Sequence, residues 1–370
     1  MVYQHGACSM AINSAGGSGG NIAKNYTFDN TASGMTSFDM QSALDELYSL
    51  VLSQTTSLLF NTHLYTGTGT TQNVDGGVYI ATDGGMLWIK KRSGVSEHYF
   101  FNTLSGANTL INMPNIGAET VVPNTVTEFT TSGFTLGTAS QVNSSSSDYV
   151  VWQFKKTAGF FDVVKYVGDG IAGKQVPISL GEGTATFGMC ILFDDDGGYK
   201  GVIQHKETGG TVGGLYLSSG GLPSTDATIF NNTAATATAL TLGTSLATNE
   251  SGVGYTAYLF AHNPTKGIYC GTYTGTGVSN TLPITTGFPV GWVITKSITN
   301  GSQWYIYDNA RGSSLVNGIA LIGSSTAGDT PNFNGVQFDA DGFSVTGDFN
   351  NVLAQEYIFM AISNTVTNTI

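Results

Sequence analysis

The chain has 370 residues, 50 of them glycine, and only 10% are charged, well under the roughly 25% of an ordinary soluble domain. Its net charge is −12, and the 13 basic residues are scattered along the chain, which argues against the clustered basic footprint of a nucleic-acid-binding protein. No run approaches the ~20 apolar residues of a membrane-spanning helix, while a hydrophobic content of 41% is enough for folded cores.

Residues 1–56 read as an arm followed by a short helix. The lead-in through residue 34 is rich in glycine and serine and centres on Gly16 to Gly20; such a composition stays flexible or extended unless a partner orders it. The first residues lack the basic and apolar regions of a secretion signal, so the expectation is a protein kept inside the cell until it is exported or the cell lyses. A helix is predicted over residues 37–52. Thr36 or Ser37 can cap it, and Asp39 lies in its first turn, where the helix dipole favours a carboxylate. Met40, Leu44, Leu47 and Val51 recur at spacings of four, three and four, the seam of a coiled coil. Either that seam joins copies of the chain into a homotrimer, or the helix packs its apolar stripe on the domain that follows.

From about residue 57 a pattern returns three times. Tyr65-Thr-Gly67-Thr-Gly69, Tyr166-Val-Gly168-Asp-Gly170 and Tyr273-Thr-Gly275-Thr-Gly277 share Y-x-G-x-G, with the tyrosines 101 and 107 residues apart. A second landmark, led by Tyr149, Tyr255 and Tyr357, follows each one at an offset of 84, 89 and 84 residues. Leu87-Trp88-Ile89-Lys90 also has a counterpart in Trp292 to Lys296, and Gly133-Phe134-Thr135-Leu136-Gly137 one in Gly342 to Gly347. The residues that return are aromatic, aliphatic or glycine, whereas charged and polar ones do not. A fixed internal period means tandem units. Runs such as Val78 to Ile80, Tyr149 to Phe154, Phe160 to Val167 and Trp304 to Tyr307 are separated by glycine, asparagine and serine turns with no helical periodicity between them. The fold class is therefore mainly β: tandem antiparallel β-sandwich repeats, jelly-roll or lectin-like, preceded by the short amino-terminal helix. The expected repeats are residues 57–157, 158–264 and 265–370.

Motifs with chemical overtones are few. Gly168-Asp-Gly170-Ile-Ala-Gly173 matches the dinucleotide fingerprint in form, but no helix follows to meet a pyrophosphate. Gly16-Gly-Ser18-Gly-Gly20 matches the nucleophile elbow in form, but it lies in a low-complexity arm. Asp194-Asp195-Asp196-Gly197-Gly198 is the densest acidic run; Asp194 and Asp196 are weak candidates for holding calcium, against the commoner outcome of a solvated hairpin tip. The five histidines do not cluster in sequence, and the three cysteines have no metal-like spacing. Cys190 is expected to be a buried small hydrophobe. Trp304, Tyr305 and Tyr307 alternate with Ile306, which leaves two readings: one or more faces solvent as a glycan-stacking surface, or they pack in the core. No cofactor and no enzymatic activity are expected.

Two stretches carry a family resemblance. The run from Tyr26 to Leu47 resembles a module of tailed-phage fibre and receptor-binding proteins, patterned roughly Y-D-N-x-x-S-G-L-x-A-x-x-V-Q-x-A-I-D-E-L. It matches at Asp29, Asn30, Ser33, Gly34, Gln41, Ala43, Leu44, Asp45, Glu46 and Leu47, and departs at Phe38 and Met40. The later repeats look like a repeat of marine-phage structural proteins. The resemblance implies a virion component, often trimeric, with β-rich domains displayed outward, and it carries over no catalytic residue. The expected function is a tail fibre or receptor-binding adhesin exposed on the particle. Its arm would contact other virion proteins, and its last repeat a host surface glycan or protein. A head fibre or capsid decoration protein is the alternative, and a glycan depolymerase a more distant one.

Overall fold

The computed structural model describes residues 58–367 except 115–117, 199–200, 209–213 and 334. The expected helix at 37–52, with Met40, Leu44, Leu47 and Val51, lies outside the described residues. From Thr55 onward the chain forms one unit. It is mainly β, with every paired strand antiparallel and glycine-bounded turns between strands, as a glycine-, threonine- and aromatic-rich composition favours.

Three large sheets follow one another along the chain. In the first segment the order is Phe60–Thr66, Asp148–Lys155, Gly85–Lys91, His98–Asn102, Thr109–Met113 and Thr120–Val121. In the second it is Phe161–Val167, Gly254–His262, Thr186–Asp194, Val202–His205 and Leu215–Tyr216; in the third, Ile268–Thr274, Glu356–Ser363, Val290–Ser297, Tyr305–Asp308 and Leu321–Ile322. Each therefore runs first strand, last, third, fourth, fifth. A smaller sheet accompanies each segment, pairing its second strand with the one before the last: Gln72–Asp75 with Gly133–Leu136, Lys174–Pro177 with Ala239–Leu242, Leu282–Thr285 with Gly342–Val345.

The large sheets are covered on both faces. Side chains alternate between faces along a strand, so one apolar face would give a buried–exposed alternation. Instead Asp148–Lys155 and Glu356–Ser363 are buried at every position after the first. Tyr149 and Val151 join Leu87, Ile89 and Phe134 in a core of the first segment, and Tyr357 and Phe359 join Val293 and Phe343 in a core of the third. The opposite faces, carrying Trp88, Val150, Trp152 and Phe154, then Trp292, Ile294, Met360 and Ile362, meet the second segment's Phe161, Ile191, Tyr258 and Phe260 in one shared core. Trp152 and Trp292 lie edge to face at 6.1 Å, and Phe154 touches Phe260 at 5.3 Å.

The two repeated sequence landmarks are one physical object. The strand registers set Tyr65 opposite Tyr149, Tyr166 opposite Tyr255 and Tyr273 opposite Tyr357, and the rings stack at 5.0, 5.1 and 4.8 Å. The first hydroxyl of each pair donates to a buried carbonyl, of Val142, Thr248 and Asn350 respectively. An asparagine six residues before each second tyrosine completes the unit. Asn143, Asn249 and Asn351 accept from the backbone N–H of Thr68, Asp169 and Thr276 at 2.8, 2.9 and 2.7 Å. Their amides donate to the carbonyls of Gly137, Gly243 and Asn280. This asparagine repeats as regularly as the tyrosines in the sequence, yet it is easily passed over among 370 residues rich in Asn.

Two expectations need correction. Val78 and Ile80 are buried but belong to no strand; after Gly76 and Gly77, the latter at φ +72°, the chain crosses between sheets and plugs the first core without pairing. Helices also occur beyond residue 57: Ser140–Asn143, Ala227–Phe230, Leu246–Asn249 and Gly347–Asn350. At four residues each they are too short to leave a 3.6-residue hydrophobic period.

The first glycine of Y-x-G-x-G is demanded by contact. A Cβ on Gly168 would overlap the Glu250 carbonyl, whereas one on Gly173, at φ +86°, would meet nothing within 4 Å. Gly173→Ala should therefore cost only the left-handed backbone strain, roughly 1–2 kcal/mol. Gly168→Ala, which must displace backbone, should cost roughly 3 kcal/mol or more. Denaturant midpoints of the two variants test this ordering, and equal midpoints would refute it.

Candidate functional site

The chemistry-bearing side chains gather at the joints between segments. Asn102, His205 and Asp308 occupy matching places, each facing the third strand of its own sheet at Met86, Met189 and Trp292, and all three are buried. Asn102 Nδ2 donates to the Tyr258 hydroxyl of the second segment at 3.1 Å. His205 Nε2 lies 3.0 Å from the Phe359 carbonyl of the third. Asp308 Oδ2 accepts from Trp152 Nε1 of the first at 3.0 Å. First meets second, second meets third and third meets first, a head-to-tail contact that closes after three.

A further set of contacts runs around the same ring. His98 Nε2 lies 3.1 Å from the Ile322 carbonyl, and Trp304 Nε1 donates to the Tyr216 carbonyl at 3.0 Å. The corresponding place in the second segment is Gly201, where a Cβ would stand 3.3 Å from Met113 Sδ of the first.

The joints differ in their ions. Where the third segment meets the first, Arg311 Nε pairs with Asp308 Oδ2 at 2.6 Å, and its Nη1 lies 3.3 Å from Asp329 Oδ1. Its guanidinium stacks 5.6 Å over the Trp152 ring. The Asp329 carboxylate also binds Arg92 Nε of the first segment at 2.8 Å, and Lys90 Nζ donates to the carbonyls of Ser96 and Thr326 at 2.6 and 3.0 Å. Where the first segment meets the second, the Glu119 carboxylate takes Ser105 Oγ and Lys165 Nζ. Lys165 also lies 3.4 Å from Asp195, whose carboxylate accepts from Thr256 Oγ1 at 2.8 Å. Among the described residues these two carboxylates, like Asp308 and Asp329 around Arg311, are paired through a cation, and Lys165 lies between them as their counter-ion.

Sequence reading singled out other residues, and the structure distributes them differently. Trp304, Tyr305 and Tyr307 are buried, so the expected glycan-stacking surface is not there. Trp304 is spent on the joint just described, Tyr307 accepts from Asn350 Nδ2 at 2.7 Å, and Tyr305 packs 5.1 Å from Phe333. The alternation misled because the sheet carrying them is covered on both sides. Asp194 is buried, and its oxygens accept the backbone N–H groups of Asp196 and Gly198 at 2.7 and 2.9 Å; Asp196 is exposed at the tip. With Asp195 held by Thr256 and Lys165, the three carboxylates face three different surroundings and do not converge on one point. Among the described residues no group of three or more His, Cys, Asp or Glu is placed to hold a metal ion. No helix among them is long and apolar enough to cross a membrane.

Burial sets the protonation of the joint residues. It lowers His98 to about 3, helped by neighbouring Lys90, and His205 to about 4. Lys90 and Lys296, at matching strand positions, are lowered to about 8 by the same desolvation. Burial pushes the Cys190 thiol up to about 12, which leaves it unreactive as a nucleophile. Two open depressions have volumes of about 470 and 250 Å³, one beside Pro264, Lys266, Phe288 and Val366, the other beside Glu97, Tyr99 and Asn112. Neither is lined by Glu119, Lys165, Asp195, Asp308, Arg311 or Asp329.

Comparison with known proteins bears on residues 55–365, which match a family model described as a domain of unknown function, DUF7483. No curated protein matches the chain.

The joint histidines make stability depend on pH. Both are neutral when folded, with folded values below the unfolded 6.5, so the unfolded chain binds more protons below pH 6.5. Their stabilisation is complete above 6.5 and is lost as pH falls, by roughly 2.7 kcal/mol per pH unit for the two together until about pH 4. Half-buried His63 and His262, also lowered by burial, act in the same direction. Denaturant titrations at pH 7, 6 and 5 should show this decline, with a shallower slope for His205→Gln. A flat profile would contradict the assignment.

Proposed function

We propose that this chain, which belongs to the DUF7483 family, is a virion surface protein, most concretely a tail fibre or receptor-binding adhesin. We read it as three tandem antiparallel β-sandwich repeats, jelly-roll or lectin-like, following an arm and an oligomerising helix. One observation carries the reading. Everything that repeats among the segments is scaffold, namely the stacked tyrosines, the asparagine bracket and the glycines in contact with carbonyls, while the joint residues that differ in chemistry are used up in holding segments together. A protein whose chemistry is spent on its own rigidity has its loops left to present, and loops on a rigid framework are where binding surfaces vary. The resemblance of Tyr26 to Leu47 to phage fibre modules points the same way, and with it the homotrimer through Met40, Leu44, Leu47 and Val51.

A head fibre or capsid decoration protein remains the alternative within the same class, the arm then contacting a capsid lattice. Catalysis is not part of the proposal. The two joint carboxylates nearest to a hydrolytic pair, Glu119 and Asp195, each have only 14% of the side chain exposed and are bridged by Lys165.

Removing the third segment to test for host contact would be uninformative, because its sheet helps to fill the shared core. The full chain should instead be purified and presented to host cells. An adhesin binds saturably and, added in excess, lowers adsorption of intact particles by about tenfold or more. Undiminished particle adsorption at saturating protein would rule out the adhesin and leave decoration. Release of reducing sugar from host polysaccharide, abolished by Glu119→Gln, would overturn the non-enzymatic part.

A further inference from the structure

The ring of segments is closed covalently at two joints and not at the third. Between first and second segments the chain turns through residues 156–160, with a bridge between Thr157 and Phe161; between second and third it turns through 263–267, with a bridge between Asn263 and Ile268. At the remaining joint no linker joins Thr367 to Leu58. These residues face each other across an antiparallel bridge, and Leu59 N donates to the Val366 carbonyl at 2.9 Å.

That joint also carries the densest buried ionic network. Arg311 and Asp308 have no exposed side-chain surface, and through Asp329 they reach Arg92 across the seam. Backbone ties accompany them: Ser96 N donates to the Thr326 carbonyl at 2.8 Å, and Asp329 N to the Arg92 carbonyl at 2.9 Å. The first–second joint has the partly exposed Lys165–Glu119–Asp195 contacts and the Lys156–Asp162 pair across it, and the second–third joint the Lys266–Glu182 pair, each with at least one partly exposed partner. Among the described ion pairs only Arg311–Asp308 has both side chains fully buried, and it stands where the peptide link is missing.

We propose that the seam between third and first segments is a latch, held by Asp308, Arg311, Asp329 and Arg92, and that the partner fitting it when it opens is a second copy of this chain, seated by exchange of third segments. Complementarity selects that occupant. The seat presents Trp152 to a carboxylate, Arg92 to another carboxylate, and Lys90 and His98 to two backbone carbonyls. A surface matching all of these at once is the third segment itself, and only another copy offers a second one. A head-to-tail contact that closes within one chain serves equally between chains once a short linker, here 263–267, straightens.

The test reads which chain supplies each side of the seam. In the full chain with Cys8→Ser, cysteines replace Leu58 and Thr367. Directly opposed residues of an antiparallel pair stand about 4.5–5.5 Å apart at Cα, within disulfide reach, and Cys190 and Cys270 are buried. Oxidation of this protein should give an intrachain disulfide and a single-chain band on a non-reducing denaturing gel. Adding Arg92→Gln with Asp329→Asn should raise the covalent dimer at least tenfold. Arg311→Met should act in the same direction, and the first pair, being partly exposed, suffices if that buried change prevents folding. Glu119→Gln with Lys165→Gln, which loosens the other joint, should leave the dimer at its starting level. The idea is overturned if the latch variants give only the intrachain disulfide, or if the control pair raises the dimer equally.

Discussion

Burial of the outward faces of three sheets against one another is the constraint from which the rest of the structure follows. Trp88, Trp152, Tyr258, Phe260, Trp292 and Met360 all lie on those faces and all are essentially inaccessible to solvent. Each such side chain is worth roughly 1.5–3 kcal/mol when buried, so a handful outweighs the 5–15 kcal/mol by which whole domains are stable. A segment standing alone would expose an apolar patch larger than soluble surfaces carry. The segments are therefore not beads on a string. Each supplies the third layer that its neighbours need.

An apolar core by itself does not say which sheet meets which. The buried polar groups at the joints add that information, because each has one partner that satisfies it. Asp308 opposite the Trp152 indole, Asn102 opposite the Tyr258 hydroxyl and His205 opposite the Phe359 carbonyl occupy corresponding places with different chemistry. Seating a segment beside the wrong neighbour would leave a donor or acceptor unpaired, at roughly 1–3 kcal/mol each and more for a charge. This is discrimination through penalties on the wrong arrangement, and it ranks the cyclic order of segments above the alternatives.

The periodic tyrosines and glycines were legible in the sequence because their requirements are local and steric. A glycine that must lie against a carbonyl tolerates no substitute, and so Gly67, Gly168 and Gly275 stand out in each copy. The joint residues left no such trace. Asn102, His205 and Asp308 share a place but not a residue type, and their partners lie more than 150 positions away. Alternation rules failed at Trp304 to Tyr307 for a related reason. An aromatic–aliphatic alternation reads as one wet face and one dry face only when a sheet has a wet face, and here both are covered.

By itself, then, the sequence determined the strand class, the threefold internal period and the turns that terminate each unit, since these depend on side-chain volume and backbone freedom within a few residues. Only the tertiary structure decided which faces are dry, which polar groups meet and which surfaces are left to bind anything. Those outcomes depend on where a neighbouring sheet comes to rest. In this chain that neighbour is a sheet of the same strand order, whose aromatic positions recur while the polar partners that seat it do not.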